Sequence, residues 1–209
     1  MIKKIKNLVF DLDYTLYPSS TNIERLFKEK AVQYLHREMK LSPEEIENAF
    51  DVFKKNASIL RGAREMGLDI ETFFDYICDV DISAISYNHP LREVLLKLPH
   101  KKVIYTNSSR KHTDEVLKKL KIEDLFQHKF TAEDSQYHFK PETESFDKFF
   151  EEYKITPHES AFFEDNLRNL EKAKSLGMTT VFISAEKKEA PHFCDYVFED
   201  INQALNLFQ

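Results

Sequence analysis

The stretch that decides the fold is residues 8–16, which read Leu-Val-Phe-Asp-Leu-Asp-Tyr-Thr-Leu. The apolar run before Asp11 predicts a buried strand, because a short apolar run is typical of the centre of a parallel sheet. Asp11 and Asp13 follow where that strand meets solvent, which is the edge at which open α/β sheets bind ligands. One carboxylate there can act as a nucleophile while the other transfers a proton.

The sequence alternates between strand and helix patterns in its second half. Besides the strand at 7–12, strands are predicted at 102–106, 129–132, 161–164, 179–183 and 196–198. Helices are predicted between these strands. The alternation indicates an α/β protein with a doubly wound parallel sheet.

The segment between the first strand and the second shows helical patterns alone. We therefore expect a catalytic core formed by 1–16 and 89–209, with an all-helical cap at 17–88. Within the cap, Ser42 and Glu45 have the spacing of a capping box at a helix start. Gly62 interrupts the helical pattern, so the next helix is predicted to begin there and to cover 62–67. A cap that enters the chain beside the aspartate pair is well placed to act as a lid.

The composition excludes several classes of function. Three glycines in 209 residues leave no Gly-rich nucleotide-binding loop, and a net charge of −6 disfavours binding to a nucleic acid polymer. No apolar run has the length of a membrane span. Cys78 and Cys194 are expected to be reduced thiols, which predicts a cytoplasmic protein.

Polar residues follow the other predicted strands as well. These residues are Thr106, Asn107, Lys140, Glu164 and Asp165. The carboxyl ends of parallel strands share one edge, so these groups should converge with the aspartate pair. Crowded carboxylates raise one another's pKa and call for a cation, and oxygen ligands without a His/Cys cluster favour Mg²⁺.

In order and spacing, the segments Asp11–Thr15, Thr106-Asn107, Lys140-Pro141 and Glu164–Asn169 resemble the four motifs of the haloacid dehalogenase superfamily of phosphohydrolases. The helical insert resembles that superfamily's type 1 cap. Residues 16–21 and 60–62 are similar to the pyrimidine 5′-nucleotidase-like branch.

The resemblance implies a role for each residue of the motifs. Asp11 would be the nucleophile and a metal ligand, and Asp13 the general acid and base, with its backbone carbonyl on the metal. Thr106, the backbone N–H of Asn107 and Lys140 would bind the substrate phosphate. Asp13 also argues against dehalogenation, because a departing halide needs no proton and the dehalogenases lack this second aspartate.

The remaining roles are implied by the same resemblance. Asp165 would complete the metal site, while Glu164 and Asn169 would support it from outside. Glu164 stands where Asp is common, which leaves open whether Glu164 itself touches the metal. Tyr17 and Arg61 are predicted to contact the substrate from the cap.

The expected activity is Mg²⁺-dependent hydrolysis of a small phosphorylated metabolite through an aspartyl phosphate, best of all a pyrimidine nucleoside 5′-monophosphate. Sugar phosphates or phosphoglycolate, a phosphomutase reaction, and an inactive binding module are the alternatives. The protein is expected to be a monomer or a homodimer. Four histidines are predicted to be surface or packing residues instead of catalytic ones: His36, His89, His112 and His138.

Overall fold

The computed structural model describes residues 4–55, 59–185 and 191–209. The chain forms two compact units. The first contains the segment that ends at Thr21 together with Ile85–Gln209, and the second is Asn22–Ala84. Tyr17, which the sequence-based boundary assigned to the cap, therefore belongs to the first unit.

The first unit is built on a parallel sheet. Its strands are β1 (Asn7–Phe10), β2 (Lys101–Tyr105), β3 (His128–Phe130), β4 (Ser160–Glu164), β5 (Thr179–Ile183) and β6 (Tyr196–Phe198). Their order across the sheet is β3-β2-β1-β4-β5-β6, and every pairing is parallel. This arrangement confirms the predicted doubly wound α/β fold and places the direction switch between β1 and β4, where such sheets bind ligands.

Helices account for most of the remaining described residues. In chain order they are α1 (Ile23–Arg37), α2 (Pro43–Lys55), α3 (Ile59–Glu65), α4 (Ile70–Cys78), α5 (His89–Lys97), α6 (Arg110–Leu120), α7 (Thr143–Tyr153), α8 (Leu167–Ser175) and α9 (Ile201–Leu205). Short 3-10 turns occur at Ser19–Thr21, Glu123–Leu125, Pro157–Glu159 and Asn206–Phe208. No helix in the described parts of the chain is long and apolar enough to cross a bilayer.

Aromatic side chains fill one face of the sheet. Tyr105 stacks on Phe149 with ring centroids 4.4 Å apart and meets Phe146 edge-on at 5.2 Å. Offset and edge-to-face geometries of this kind add to the stabilisation that burial alone provides. The cluster fixes β2 and α7, and with them the strand end that carries Thr106.

The second unit contains α1 to α4. The predicted capping box is confirmed, because the Ser42 backbone N–H donates to Glu45 at 2.8 Å and the Glu45 N–H donates to the Ser42 hydroxyl at 3.3 Å. The predicted helix start at Gly62 is wrong, since α3 already begins at Ile59. Gly62 lies inside α3. The position needs a glycine because a Cβ there would stand 2.3 Å from the Phe53 ring.

Candidate active site

The register of the sheet places Asp11 at the centre of the site. Phe10, the last residue of β1, pairs with Ile104 on one side and Phe163 on the other. Asp11 follows one residue later, and its backbone N–H still donates to the Phe163 carbonyl at 2.9 Å. Its neighbours in the next row of the sheet are therefore Tyr105 and Glu164. The Asp11 carboxylate is almost fully buried at this position.

The Lys140 ammonium binds that same row of residues from the loop between β3 and α7. Its Nζ donates to Asp11 Oδ1 at 2.6 Å, to Glu164 Oε2 at 2.9 Å and to the Tyr105 carbonyl at 2.8 Å. Three acceptors match the three N–H donors of an ammonium. Burial lowers the pKa of Lys140, but Asp11 and Glu164 raise it more, so the side chain stays charged.

Asn107 fixes the backbone from which Lys140 extends. Its Oδ1 accepts the Lys140 N–H at 2.8 Å, and its Nδ2 donates to the Lys140 carbonyl at 3.2 Å. The predicted phosphate contact of Asn107 was its backbone N–H, which these bonds do not use. Thr106 is buried beside it, and its hydroxyl oxygen accepts the Ser108 N–H at 3.0 Å.

Three carboxylates meet at the carboxyl ends of β1 and β4. Asp11, Glu164 and Asp165 each offer an oxygen, and these atoms lie within 4.8 Å of one another. Burial, followed by the charge of Glu164, raises the pKa of both Asp11 and Asp165 well above the ordinary value. One ammonium is thus insufficient for three carboxylates, and the charge that remains fits a divalent cation.

The donor set identifies which carboxylates could bind that cation. Glu164 already accepts from Lys140, from the Asn166 N–H at 3.0 Å and from Asn169 Nδ2 at 3.0 Å. Both of its oxygens are therefore engaged, whereas Asp165 is partly exposed. All the ligand atoms are oxygens, which suits Mg²⁺. The residues present therefore fit Mg²⁺, with Asp11 and Asp165 as its side-chain ligands and with Glu164 and Asn169 in support.

Asp13 lies in a separate cluster, although it is only two residues from Asp11. Its Oδ1 accepts the Tyr17 hydroxyl at 2.5 Å and contacts His112 Nε2 at 2.8 Å, and its Oδ2 accepts the Ser108 hydroxyl. Burial raises the pKa of Asp13, but His112, Ser108 and Tyr17 together lower it below the ordinary value. The carboxylate is therefore ionised in the ligand-free protein.

His112 and Ser108 are site residues that the sequence did not identify. His36 and His89 are exposed and His138 is half-buried, in line with the prediction. His112, in contrast, is completely buried and contacts Asp13 through its ring nitrogen. One signal was available: His112 lies in the first turn of the helix that follows Thr106 and Asn107, and that turn must lie at the same sheet edge as Asp13.

The two predicted substrate contacts lie in different units. Tyr17 belongs to the first unit and donates to Asp13 instead of reaching in from the cap. Arg61 lies on α3 in the second unit, so its contact with a substrate stays a prediction.

A cavity of about 480 Å³ adjoins Asp165 within the first unit. Its walls include Tyr14, Tyr17, Asn88, Phe182 and Asp200. This volume is within the range of small-molecule sites, and polar and aromatic groups share the lining. A buried carboxylate, a fixed ammonium and an acidic cluster therefore lie beside such a cavity at the edge of a doubly wound sheet.

Comparison with known proteins identifies the family. Residues 8–183 match the haloacid dehalogenase-like hydrolases, and the chain belongs to that family. The match spans every strand from β1 to β5 and each of the four sequence motifs. The predicted superfamily is thereby confirmed.

Proteins similar to this chain in sequence or in fold carry names that refer to different activities. Phosphate metabolism protein 8 of Saccharomyces cerevisiae is 26% identical over an alignment of 219 residues. The alignment covers 94% of this chain and 64% of the yeast protein. A phosphatase of this superfamily from Thermococcus onnurineus is 23% identical with a TM-score of 0.66, over 97% of both chains. An L-2-haloacid dehalogenase from Xanthobacter autotrophicus is 18% identical with a TM-score of 0.62, over 97% of this chain and 98% of the other. The two structures share the fold, so the choice between these activities depends on the site.

Proposed function

We propose that the protein is a cytoplasmic, Mg²⁺-dependent phosphomonoesterase that forms an aspartyl phosphate on Asp11. The observation that carries the proposal is the opposite environment of Asp11 and Asp13. Burial, and after it the charge of Glu164, raises the pKa of Asp11, whereas His112, Ser108 and Tyr17 lower the pKa of Asp13 despite its burial. Lys140 and a bound cation would keep Asp11 ionised for attack, while the hydrogen bonds to Asp13 hold a second carboxylate in place for proton transfer, so the two residues can divide the catalytic roles.

In the first step Asp11 attacks the phosphorus atom of the ester. A bond forms between an Asp11 oxygen and phosphorus, the bond from phosphorus to the leaving oxygen breaks, and Asp13 gives its proton to that oxygen. Asp13 acquires this proton when substrate binds, because the negative charge of a phosphoryl group raises the pKa of a nearby carboxylate.

In the second step the intermediate is hydrolysed. Asp13 takes a proton from water, the water oxygen attacks phosphorus, and the bond to Asp11 breaks to release phosphate. Lys140 neutralises charge on the phosphoryl oxygens throughout, while Thr106 and the backbone N–H of Asn107 orient them. Asp11, Asp165 and the Asp13 carbonyl would hold Mg²⁺, which would supply further positive charge at the phosphoryl group.

The substrate that we favour is a nucleoside 5′-monophosphate, with a pyrimidine base. The cavity beside Asp165 has room for a small metabolite, and the partly exposed ring of Tyr14 in its wall can stack on a base. The name of the yeast relative also refers to phosphate metabolism. Sugar phosphates and phosphoglycolate are the competing substrates within the same chemistry.

Dehalogenation is the competing reaction, because haloacid dehalogenases are among the proteins of similar fold. A departing halide takes no proton, so dehalogenation would not need Asp13 as a proton donor or the hydrogen bonds that hold its carboxylate in place. The cluster therefore favours a leaving group that needs protonation, as the alkoxide of a phosphate ester does.

The test is a panel of phosphate esters assayed with Mg²⁺ or with EDTA, on the wild type and on Asp11→Asn. We expect Mg²⁺-dependent phosphate release that Asp11→Asn reduces at least 10³-fold, since an amide cannot form the acyl phosphate. Release of chloride from 2-chloropropionate is the matched assay for the competing reaction. Wild-type protein that releases chloride and no phosphate would overturn the proposal.

A further inference from the structure

His112 is a buried polar residue in contact with Asp13 to which the reaction steps give no role. Its side chain is completely buried in the first turn of α6. The backbone N–H of His112 donates to the capping Ser109 hydroxyl at 3.2 Å, which fixes the start of the helix. The ring nitrogen Nε2 then lies 2.8 Å from Asp13 Oδ1. A carboxylate only accepts, so Nε2 carries the hydrogen.

The contacts around Asp13 distinguish its two oxygens. Oδ1 receives both His112 and Tyr17, whereas Oδ2 receives the Ser108 hydroxyl. An ionised carboxylate offers about two acceptor positions on each oxygen. Both positions of Oδ1 are therefore filled, and one position of Oδ2 is left. The Asp13 side chain is 21% exposed while that of His112 is 0% exposed, so a substrate can reach the carboxylate but not the imidazole.

We propose that His112 is a positioning residue for Asp13 and that Oδ2 is the oxygen that exchanges protons. The Nε2–H of His112 holds Oδ1 against the core, which prevents the carboxylate from rotating and keeps Oδ2 directed at the leaving oxygen and later at water. Misplacement of a catalytic group by about 1 Å can cost about 10²-fold in rate. This inference rests on the proposed phosphatase activity and adds a residue to it.

The experiment compares two esters that differ in their need for a proton. An alkyl ester such as a nucleoside 5′-monophosphate releases a strongly basic alkoxide, whereas 2,4-dinitrophenyl phosphate releases a stable phenolate. The quantity compared is kcat/KM, because it covers phosphoryl transfer to Asp11 and not the later hydrolysis common to both substrates. We expect His112→Ala to lower kcat/KM for the alkyl ester about 10–100-fold more than for the dinitrophenyl ester.

Two further variants separate positioning from a structural effect. His112→Gln retains an N–H donor at the end of its side chain and should recover part of the loss on the alkyl ester. Thr113→Val removes the neighbouring bond from a buried hydroxyl to the Ser109 carbonyl, 2.8 Å long, on the same helix. It should leave the ratio between the two esters unchanged. If His112→Ala does not fold, His112→Leu fills the same volume without a donor and takes its place.

The outcomes are distinct. An equal loss on both esters, or no recovery in His112→Gln, would overturn the positioning role while the phosphatase proposal stands. A wild type that hydrolyses neither ester would overturn the phosphatase proposal itself, and the role of His112 with it. A loss confined to the alkyl ester, with recovery by glutamine, supports the inference.

Discussion

Asp11 and Asp13 are two residues apart in the chain, yet they occupy opposite surroundings. Asp11 shares its site with Glu164 and Asp165 and has one ammonium, that of Lys140, for charge balance. Asp13 contacts hydrogen-bond donors instead: Tyr17, Ser108 and His112. The first site is short of positive charge, and the second stabilises negative charge through hydrogen bonds.

The difference follows from the backbone between them. Asp11 continues the row of β1, so its neighbours are set by β2 and β4. Asp13 lies in the turn that follows, where Tyr14 has a φ of 62° in the left-handed region. The chain therefore directs the two carboxylates into different groups of neighbours within a few residues. Short sequence separation thus does not imply a shared environment.

The largest effect on stability should come from removing the ammonium of Lys140. Lys140→Met leaves the Asp11 cluster with three carboxylates and no cation of its own. We expect a loss of about 3–5 kcal/mol in the free energy of unfolding at neutral pH, as for other broken buried ion pairs, and a fall of about 10³-fold in kcat. Urea denaturation and phosphate release measure the two effects. Lys148→Met, at a half-buried lysine of α7 that donates to the Gln136 side chain, is the control. Unchanged stability in Lys140→Met would contradict the interpretation that the three carboxylates depend on the Lys140 ammonium for charge balance.

Replacing the Asp13 carboxylate should separate activity from metal binding. Asp13→Asn cannot transfer the proton, so kcat for an alkyl ester should fall about 10²–10⁴-fold. The rise in Tm that Mg²⁺ produces should persist, since the acidic cluster is intact. Asp114→Asn removes a partly exposed carboxylate paired with Lys129 and serves as the control. Loss of the Mg²⁺ response in Asp13→Asn would mean that the two sites are not separate.

The dependence of stability on pH should reveal the acidic cluster directly. Burial and Glu164 raise the pKa of Asp11 to about 8 and that of Asp165 to about 10, above unfolded values of about 3.9. At pH values between the unfolded pKa and the native pKa of these two residues, the native state binds more protons than the unfolded state. Without metal, stability should therefore fall as the pH rises from about 4 toward 8.

Mg²⁺ should cancel most of that fall. At 100 times its Kd a ligand adds about 2.7 kcal/mol, or roughly 5–10 °C in Tm for a chain of this size. Thermal unfolding at pH 6 and pH 8, with Mg²⁺ or EDTA, gives the comparison, and Asp165→Asn should lose most of the Mg²⁺ effect. An identical pH slope in both buffers would contradict the assignment of a cation to this cluster.

The smallest effect should come from one donor of the Asp13 cluster. Tyr17→Phe removes the hydroxyl on Oδ1 but keeps the ring, while His112 and Ser108 still hold the carboxylate. We expect kcat/KM for an alkyl ester to fall about 3–10-fold, equivalent to roughly one hydrogen bond. Tyr153→Phe removes a hydroxyl that donates to the Lys129 carbonyl at 3.0 Å, remote from Asp13, and is the control. A fall as large as that in Asp13→Asn would show that the three donors are not equivalent supports.

The fold was more predictable than the details of the site. Strands β1, β2, β4 and β5 each contain a short apolar run, and such runs in alternation with helices leave few arrangements other than a parallel sheet. The predicted helix start at Gly62 is wrong because glycine often breaks helices, whereas inside α3 it makes room for the Phe53 ring. That reason is a tertiary contact, which local propensity does not contain.

By itself, the sequence determined the strand that ends at Asp11, the order of the four motifs, and hence the edge of the sheet at which Lys140, Glu164 and Asp165 would meet. Periodicity and strand order predict the shared edge, because parallel strands bring their carboxyl ends together, whereas the four motifs and the choice of Lys140 rest on the resemblance to the superfamily. Only the tertiary structure decided that Glu164 is engaged with Lys140 and Asn169, that Tyr17 and Ser108 bind Asp13, and that His112 is buried against the same carboxylate. Those contacts depend on how α6 and the turn after β1 are placed in space, and residues 99 positions apart carry no local pattern that records it.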